Sequence, residues 1–175
     1  MARTTVAPYH SRSGIDPMPI LRTRRYLRVK VDMVGRCQLR CVMCHFSHPE
    51  FQENPTTMGK DLLEKVAADL FPIAHDVVLS SSAEPLLAPD LPRALELCRE
   101  YDVPSFHFST NAINLTAGTL NKVIDVQMPL LTISIDGGTP ETFESIRKPM
   151  KWKLKSILQN FVSIYSGPAA RAGNM

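Results

Sequence analysis

Four times between residues 26 and 147 a short apolar run gives way to a stretch with helical spacing, and this alternation restricts the fold more than any other feature of the chain. The first run, Tyr26 to Val34, is rich in valine and reads as a strand. A helix is expected over Lys60 to Phe71, with Leu62, Leu63, Val66, Ala67 and Leu70 on one face and Pro72 closing it. A second strand, Asp76 to Ser80, precedes a helix with Asp90 as candidate N-cap and Leu91, Leu95 and Cys98 inward. The third strand, Ser105 to Thr110, is followed by a helix marked by Leu120, Val123 and Ile124. The fourth, Leu130 to Asp136, breaks at Gly137-Gly138, before a helix capped by Thr139 with Pro140 in its first turn. Leu154, Ile157, Leu158, Phe161, Val162 and Tyr165 then repeat at amphipathic spacing. Such a sequence predicts an α/β fold whose parallel strands are joined by right-handed helical crossovers.

In parallel α/β folds ligands collect beyond the C-terminal strand ends. Polar or sulfur-bearing clusters occupy all four such ends here: Cys37, Cys41 and Cys44 after strand 1, Ser82-Ala83-Glu84-Pro85 after strand 2, Thr110-Asn111 after strand 3, and Ser134 with Asp136 on strand 4. The cysteine spacing C-x3-C-x2-C supplies three thiolates, enough for three irons of a cubane that ordinarily takes four cysteines, leaving one iron open to another ligand. A rival set is Cys37, Cys41, Cys44 and His48, a complete three-cysteine, one-histidine zinc site. Cys98 stands apart and reads as a small buried hydrophobe. Taken singly, Glu84 reads as a carboxylate approaching a helix, Asp136 as a turn former, and Arg147 as part of a solvated basic face.

Together these clusters resemble the radical S-adenosylmethionine (radical SAM) superfamily. The resemblance runs through Cys37-Gln38-Leu39-Arg40-Cys41-Val42-Met43-Cys44, Ser82-Ala83-Glu84-Pro85, Thr110-Asn111-Ala112, Ser134-Ile135-Asp136-Gly137 and Ile146-Arg147, and is nearest to the peptide-modifying and anaerobic sulfatase-maturase-like branch. It implies a partial TIM barrel, a 4Fe-4S cluster on Cys37, Cys41 and Cys44, and reductive cleavage of S-adenosylmethionine to a 5′-deoxyadenosyl radical that abstracts hydrogen. By the same likeness, the backbone at Ser82 and Ala83 or the Glu84 carboxylate would meet the methionine amino group. Ser134 and Arg147 would hold the ribose and carboxylate, with Asn111 and Asp136 beside them. Met43 stands where the family usually has an aromatic over the cofactor, and Ser82 and Ala83 replace two glycines.

The family barrel has six βα units and four are legible here, so the chain is expected to be a truncated N-terminal portion, from a frameshift or a split gene. The expected divisions are a basic leader (1–25), a radical SAM core (26–165) and an irregular tail (166–175). The net charge of +3 conceals basic ends around an acidic body: residues 1–30 carry seven basic and one acidic side chain, residues 147–175 six basic and none acidic. No aromatics interleave with these charges, so a nucleic-acid partner is not expected. No apolar run reaches the length of a membrane span or a secretory signal, which points to a reducing cytoplasm. The implied partners are a substrate, a peptide among the candidates, a reductant of the ferredoxin or flavodoxin kind, and a complementing polypeptide.

Overall fold

The computed structural model describes residues 25–51 and 56–148. The expected leader up to residue 24, the amphipathic stretch at 154–165 and the tail lie outside them. The strands β1 (Leu27–Lys30), β2 (Ala74–Val78), β3 (Ser105–Thr110) and β4 (Leu130–Ile133) form one sheet in the order β1-β2-β3-β4, every pair parallel. Helices α1 (Lys60–Leu70), α2 (Leu91–Glu100) and α3 (Ala117–Asp125) alternate with them, and α4 (Pro140–Arg147) follows β4. Strand order equals chain order, so the sheet runs on in one direction, as in the wall of a barrel.

Side chains alternate across the sheet with period two. Val29, Val77, Leu79, Phe106 and Phe108 bury one face in a core with Leu63, Ala67, Leu95 and Cys98. The other face is polar. There Asp76, only 3% exposed, accepts from Ser105 Oγ at 2.8 Å and pairs with Arg28 Nε at 2.7 Å and His107 Nδ1 at 3.5 Å. Burial pushes the Cys98 thiol pKa far above its ordinary value, in keeping with a core role.

Several boundaries differ from the sequence reading for local reasons. Strand β1 ends at Lys30 instead of Val34, although Val31 N still donates to Val78 O at 2.9 Å. Beyond it Met33 and Gly35 bond Met58 and Thr56, and Val34 makes an antiparallel bridge to Thr57, closing the base of the cysteine segment. Pro72 sits in a 3-10 turn, Phe71–Ile73, which delivers the chain into β2 two residues early. Leu62, expected on the apolar face of its helix, is exposed, as is Ile124, because Leu63, Ala67 and Val123 already fill the buried positions of α1 and α3. Asp90 occupies the N-cap of α2 without a side-chain cap bond, whereas Thr116 and Thr139 accept from Thr119 N at 3.1 Å and Thr142 N at 3.2 Å. Among the described residues no helix is long and apolar enough to cross a membrane.

Ala112, which ends the Thr110-Asn111-Ala112 turn, is buried with φ at 60°, a left-handed conformation that costs a non-glycine residue about 1–2 kcal/mol. Ala112→Gly is therefore expected to be neutral or stabilising by up to about 1 kcal/mol, despite the lost methyl group. Urea unfolding of the two proteins checks this; destabilisation by more than about 1 kcal/mol, ordinary for an alanine buried without strain, would contradict it.

Candidate functional site

Beyond the C-terminal strand ends lies a cavity of about 640 Å³. Each element contributes for a backbone reason. The cysteine segment leaves β1 and is shaped by its own turn bonds: Cys44 N to Cys41 O at 2.9 Å, Ser47 Oγ to Cys41 O at 2.7 Å, and Arg40 Nη1 to the carbonyls of Cys37 and Leu39, both at 2.8 Å. His45, Phe46 and Phe51 pack ring on ring behind it. Two longer ties fix its position, Glu84 N to Arg36 O at 3.1 Å and Val42 N to Ile146 O at 2.9 Å.

All eleven residues singled out from the sequence line this cavity: Cys37, Cys41, Met43, Cys44, Ser82, Ala83, Glu84, Asn111, Ser134, Asp136 and Arg147. Thr110, read as part of the strand 3 cluster, lines it too, whereas sequence reading missed the lining by Leu39, Ser80, Ser81 and Ser109. The period-two rule was available for Ser80 and Ser109, since they share a sheet face with Val78 and His107. His45, read only as a loop residue, also lines it. Met43 is 64% exposed at its rim.

The three thiols are free, and each lies within reach of a nitrogen on a different side chain. Asn111 Nδ2 lies 3.8 Å from Cys37 Sγ, Arg147 Nη1 lies 3.5 Å from Cys41 Sγ, and His45 Nδ1 lies 3.9 Å from Cys44 Sγ. Burial raises the Cys37 thiol pKa; the backbone N–H of Leu39 opposes this, while the Glu84 carboxylate and the other two sulfurs add to it. Among the described residues no group of three His, Cys, Asp or Glu side chains is placed to share one metal ion. His48 does not line the cavity, and its Nδ1 accepts from Glu50 N at 3.3 Å. A single zinc needs its donors drawn to about 2.3 Å around one point, whereas a cubane takes each thiolate on a separate iron. Three thiols lining one cavity are a donor set that fits a cubane with one iron left open.

The carboxylate of Glu84 is 3% exposed and serves the protein itself. Its Oε1 accepts from Thr110 Oγ1 at 2.5 Å and Leu86 N at 3.1 Å, and its Oε2 from Asn111 N at 2.9 Å. It thereby joins the loops after β2 and β3. Arg147 is no solvated cation: its side chain is 14% exposed, and Nη2 pairs with Asp136 at 2.5 Å. Asp136 is thus an ion-pair partner as well as a turn residue. The Nε of Arg147, a lining residue, is buried without a hydrogen-bond partner, a polar capacity that a ligand in the cavity can satisfy. The serine and alanine that stand in place of two glycines are not strained, since neither Ser82 nor Ala83 has positive φ.

A family model described as "Radical SAM superfamily" matches residues 31–161. The chain belongs to the radical SAM superfamily. Its radical SAM core is 25% identical over 117 residues to a protein named probable GTP 3′,8-cyclase from Methanococcus maripaludis, covering 67% of this chain and 39% of that one. It is 29% identical over 109 residues to Fe-coproporphyrin III synthase from Methanosarcina barkeri, covering 61% of this chain and 26% of the relative. The radical SAM partial barrel appears in the solved structure of native anSMEcpe with bound AdoMet, TM-score 0.63 at 17% identity, over 79% of this chain and 40% of that one. It appears again in BtrN in complex with AdoMet and 2-DOIA, TM-score 0.57 at 19% identity, over 68% and 49%. The chain thus spans well under half the length of the curated relatives just named. The four-stranded open sheet is the expected partial radical SAM barrel, and the superfamily's enzymes perform S-adenosylmethionine-dependent radical chemistry.

Proposed function

We propose that Cys37, Cys41 and Cys44 hold a 4Fe-4S cluster and that the cavity beside them binds S-adenosylmethionine. One observation carries this reading: the three cysteines and the motifs from the other three strand ends line the same cavity. When bound there, the cluster would supply an electron that cleaves the sulfonium to methionine and a 5′-deoxyadenosyl radical able to take hydrogen from a substrate. The protein's own part is to position and to screen. Asn111 and Arg147 aim N–H donors at two of the sulfurs, and such donors tune a cluster's potential. Ser134, with its hydroxyl, and the unpartnered Nε of Arg147 offer bonds to ribose or carboxylate oxygens, and Met43 offers a polarizable thioether at the rim.

The hydrogen donor is an organic substrate, with a peptide the class suggested by the likeness to peptide-modifying members. The electron comes from a ferredoxin or flavodoxin, and the compartment is a reducing cytoplasm. A second reading, in which another polypeptide completes the site, is favoured by β4, a strand with no further neighbour among the described residues and with Leu130 53% exposed.

Anaerobic reconstitution with iron and sulfide tests the proposal. About four irons per chain are expected, with an electron paramagnetic resonance signal of the reduced protein that shifts on adding S-adenosylmethionine. Replacing Cys37, Cys41 and Cys44 with alanine together should abolish iron uptake, while Cys98→Ala leaves it intact. Tightly bound zinc with no cluster would sink the proposal.

A further inference from the structure

The face of the sheet turned away from the helices is built from polar rows that none of the motifs above accounts for. Strand register places Arg28, Asp76 and Ser105 side by side, and Lys30, Val78 and His107 in the next row. Ser80 and Ser109, two residues further along the same face, line the cavity. The interior of a parallel barrel is ordinarily filled by bulky branched side chains. Such a filling does not suit this wall, because it would strip water from an ammonium and an imidazole without supplying partners. The wall is left to water or to a polar ligand, and its second row lies about 7 Å deeper along the strands than Ser80 and Ser109.

The charges of the wall are unequally engaged. Asp76 pairs with Arg28 Nε at 2.7 Å, accepts from Ser105 Oγ at 2.8 Å and lies 3.5 Å from His107 Nδ1. Asp32, two residues beyond Lys30, accepts from the backbone N–H groups of Ser81 at 2.7 Å, Ser82 at 3.1 Å and Ala83 at 3.4 Å. Both acids are thus compensated within the protein. Lys30 is exposed and pairs with no acid among the described residues. The Nδ1 of His107 faces Asp76, which leaves its Nε2 for another group, and on β4 its register partner is Leu130, an apolar side chain. Lys30 and His107 flank Val78 from neighbouring strands, their Cα atoms about 10 Å apart. A lysine and an imidazole leaning over Val78 from either side can both meet one anionic group.

We propose that Lys30 and His107 form the anion subsite of the substrate pocket: the molecule that gives up hydrogen carries a carboxylate or phosphate that sits over Val78, while the rest of it reaches past Ser80 and Ser109 toward the cysteines. The inference deepens the proposed function and rests on it, because the cluster and cofactor at the strand ends are what make this wall a substrate wall. It narrows the substrate to an acidic one. It also separates two duties, with the strand-end motifs holding the cofactor and the middle of the sheet selecting the substrate.

Inorganic phosphate and acetate, titrated into the reconstituted full chain at constant pH and ionic strength, stand for the two sources of the charge. The readout is the nuclear magnetic resonance ring signal of His107 in protein carrying isotope-labelled histidine, identified by its loss in His107→Gln. At least one of the anions should shift it saturably, and the one with the lower half-saturation concentration names the group. Lys30→Gln is expected to raise that concentration about tenfold. Lys65→Gln, which removes a lysine paired with Asp69 on α1, should leave it unchanged. Saturating S-adenosylmethionine should leave the anion shift in place, since the cofactor belongs at the strand ends. No saturable shift with either anion, equal effects of the two lysine variants, or loss of the shift when S-adenosylmethionine is bound would overturn the inference and leave the proposed function standing. A chain that takes up zinc and no cluster would overturn both.

Discussion

Glu84→Ala is expected to destabilise the protein by about 3 kcal/mol and to release the loop after β3 from the cysteine segment. The wild-type carboxylate satisfies Thr110 Oγ1, Asn111 N and Leu86 N in a nearly water-free position, and removing it leaves two buried donors and a partly buried one without acceptors. Asn111 holds the Cys37 sulfur through Nδ2 and Ile113 N through Oδ1, so its displacement carries directly to the thiol. Glu84→Gln should cost less but still about 1–2 kcal/mol, because its amide presents an N–H to one of the donors that Glu84 accepts. Urea denaturation read by circular dichroism checks both values. The pH dependence has a definite sign. Burial raises the Glu84 pKa above its ordinary 4.5, outweighing the opposing hydrogen bonds. The folded state thus holds this proton more tightly than the unfolded one. The Glu84 contribution to stability is complete below pH 4.5 and declines as pH rises to the raised value. Glu84→Gln should lose that decline; an unchanged profile between the variants would contradict the assignment.

The second large effect is expected at Gly137→Ala. Gly137 has φ at 144°, and a Cβ built there would lie 2.6 Å from Phe143 N and 3.0 Å from Phe143 Cα. Those are backbone atoms of α4, anchored by the fully buried Phe143 ring, so the clash is relieved only by moving the helix. A loss of about 3 kcal/mol is expected. Since α4 carries Arg147 and supplies the Ile146 carbonyl to Val42 N, the displacement should also loosen the Cys41 side of the site. Gly138→Ala is the internal control: nothing lies within 4 Å of its Cβ position, and its effect should stay within about 0.5 kcal/mol. Similar losses in both variants would mean that the turn responds to backbone freedom and not to contact with Phe143.

The strand and helix order was legible because each strand buries one apolar face and each helix repeats at 3.6, patterns that survive in a single sequence. The candidate lining was legible because parallel topology sends every strand end to the same side, so four separate clusters had to meet. What could not be read was the use of each polar group. Read singly, Glu84 looks like a carboxylate approaching a helix and Arg147 like part of a solvated basic face, yet Glu84 is engaged by Thr110 and Asn111, and Arg147 by Asp136 and Cys41. Asp32 escaped for the converse reason. Nothing in Val31-Asp32-Met33 distinguishes an acid that caps a distant loop from one that faces water, because the groups its carboxylate accepts from, Ser81 N, Ser82 N and Oγ, and Ala83 N, lie 49 to 51 positions on. The exposed Leu62 and Ile124 show the limit of periodicity, which marks a stripe but not its edge.

The ties that finish the cysteine segment span long stretches of the chain. Asn111 reaches Cys37 across 74 positions and Arg147 reaches Cys41 across 106. The bonds that shape the segment locally, such as Cys44 N to Cys41 O, span only three. Loop-closure entropy favours near contacts before far ones, so the local turns and single βα units have a kinetic advantage over the finished pocket. During synthesis the thiols emerge about a hundred residues ahead of the helix that completes their surroundings. Maturation of this pocket is therefore expected to be a late, post-assembly event, in which the order of chain emergence, and not the strength of any one bond, determines when the sulfurs reach their final environment.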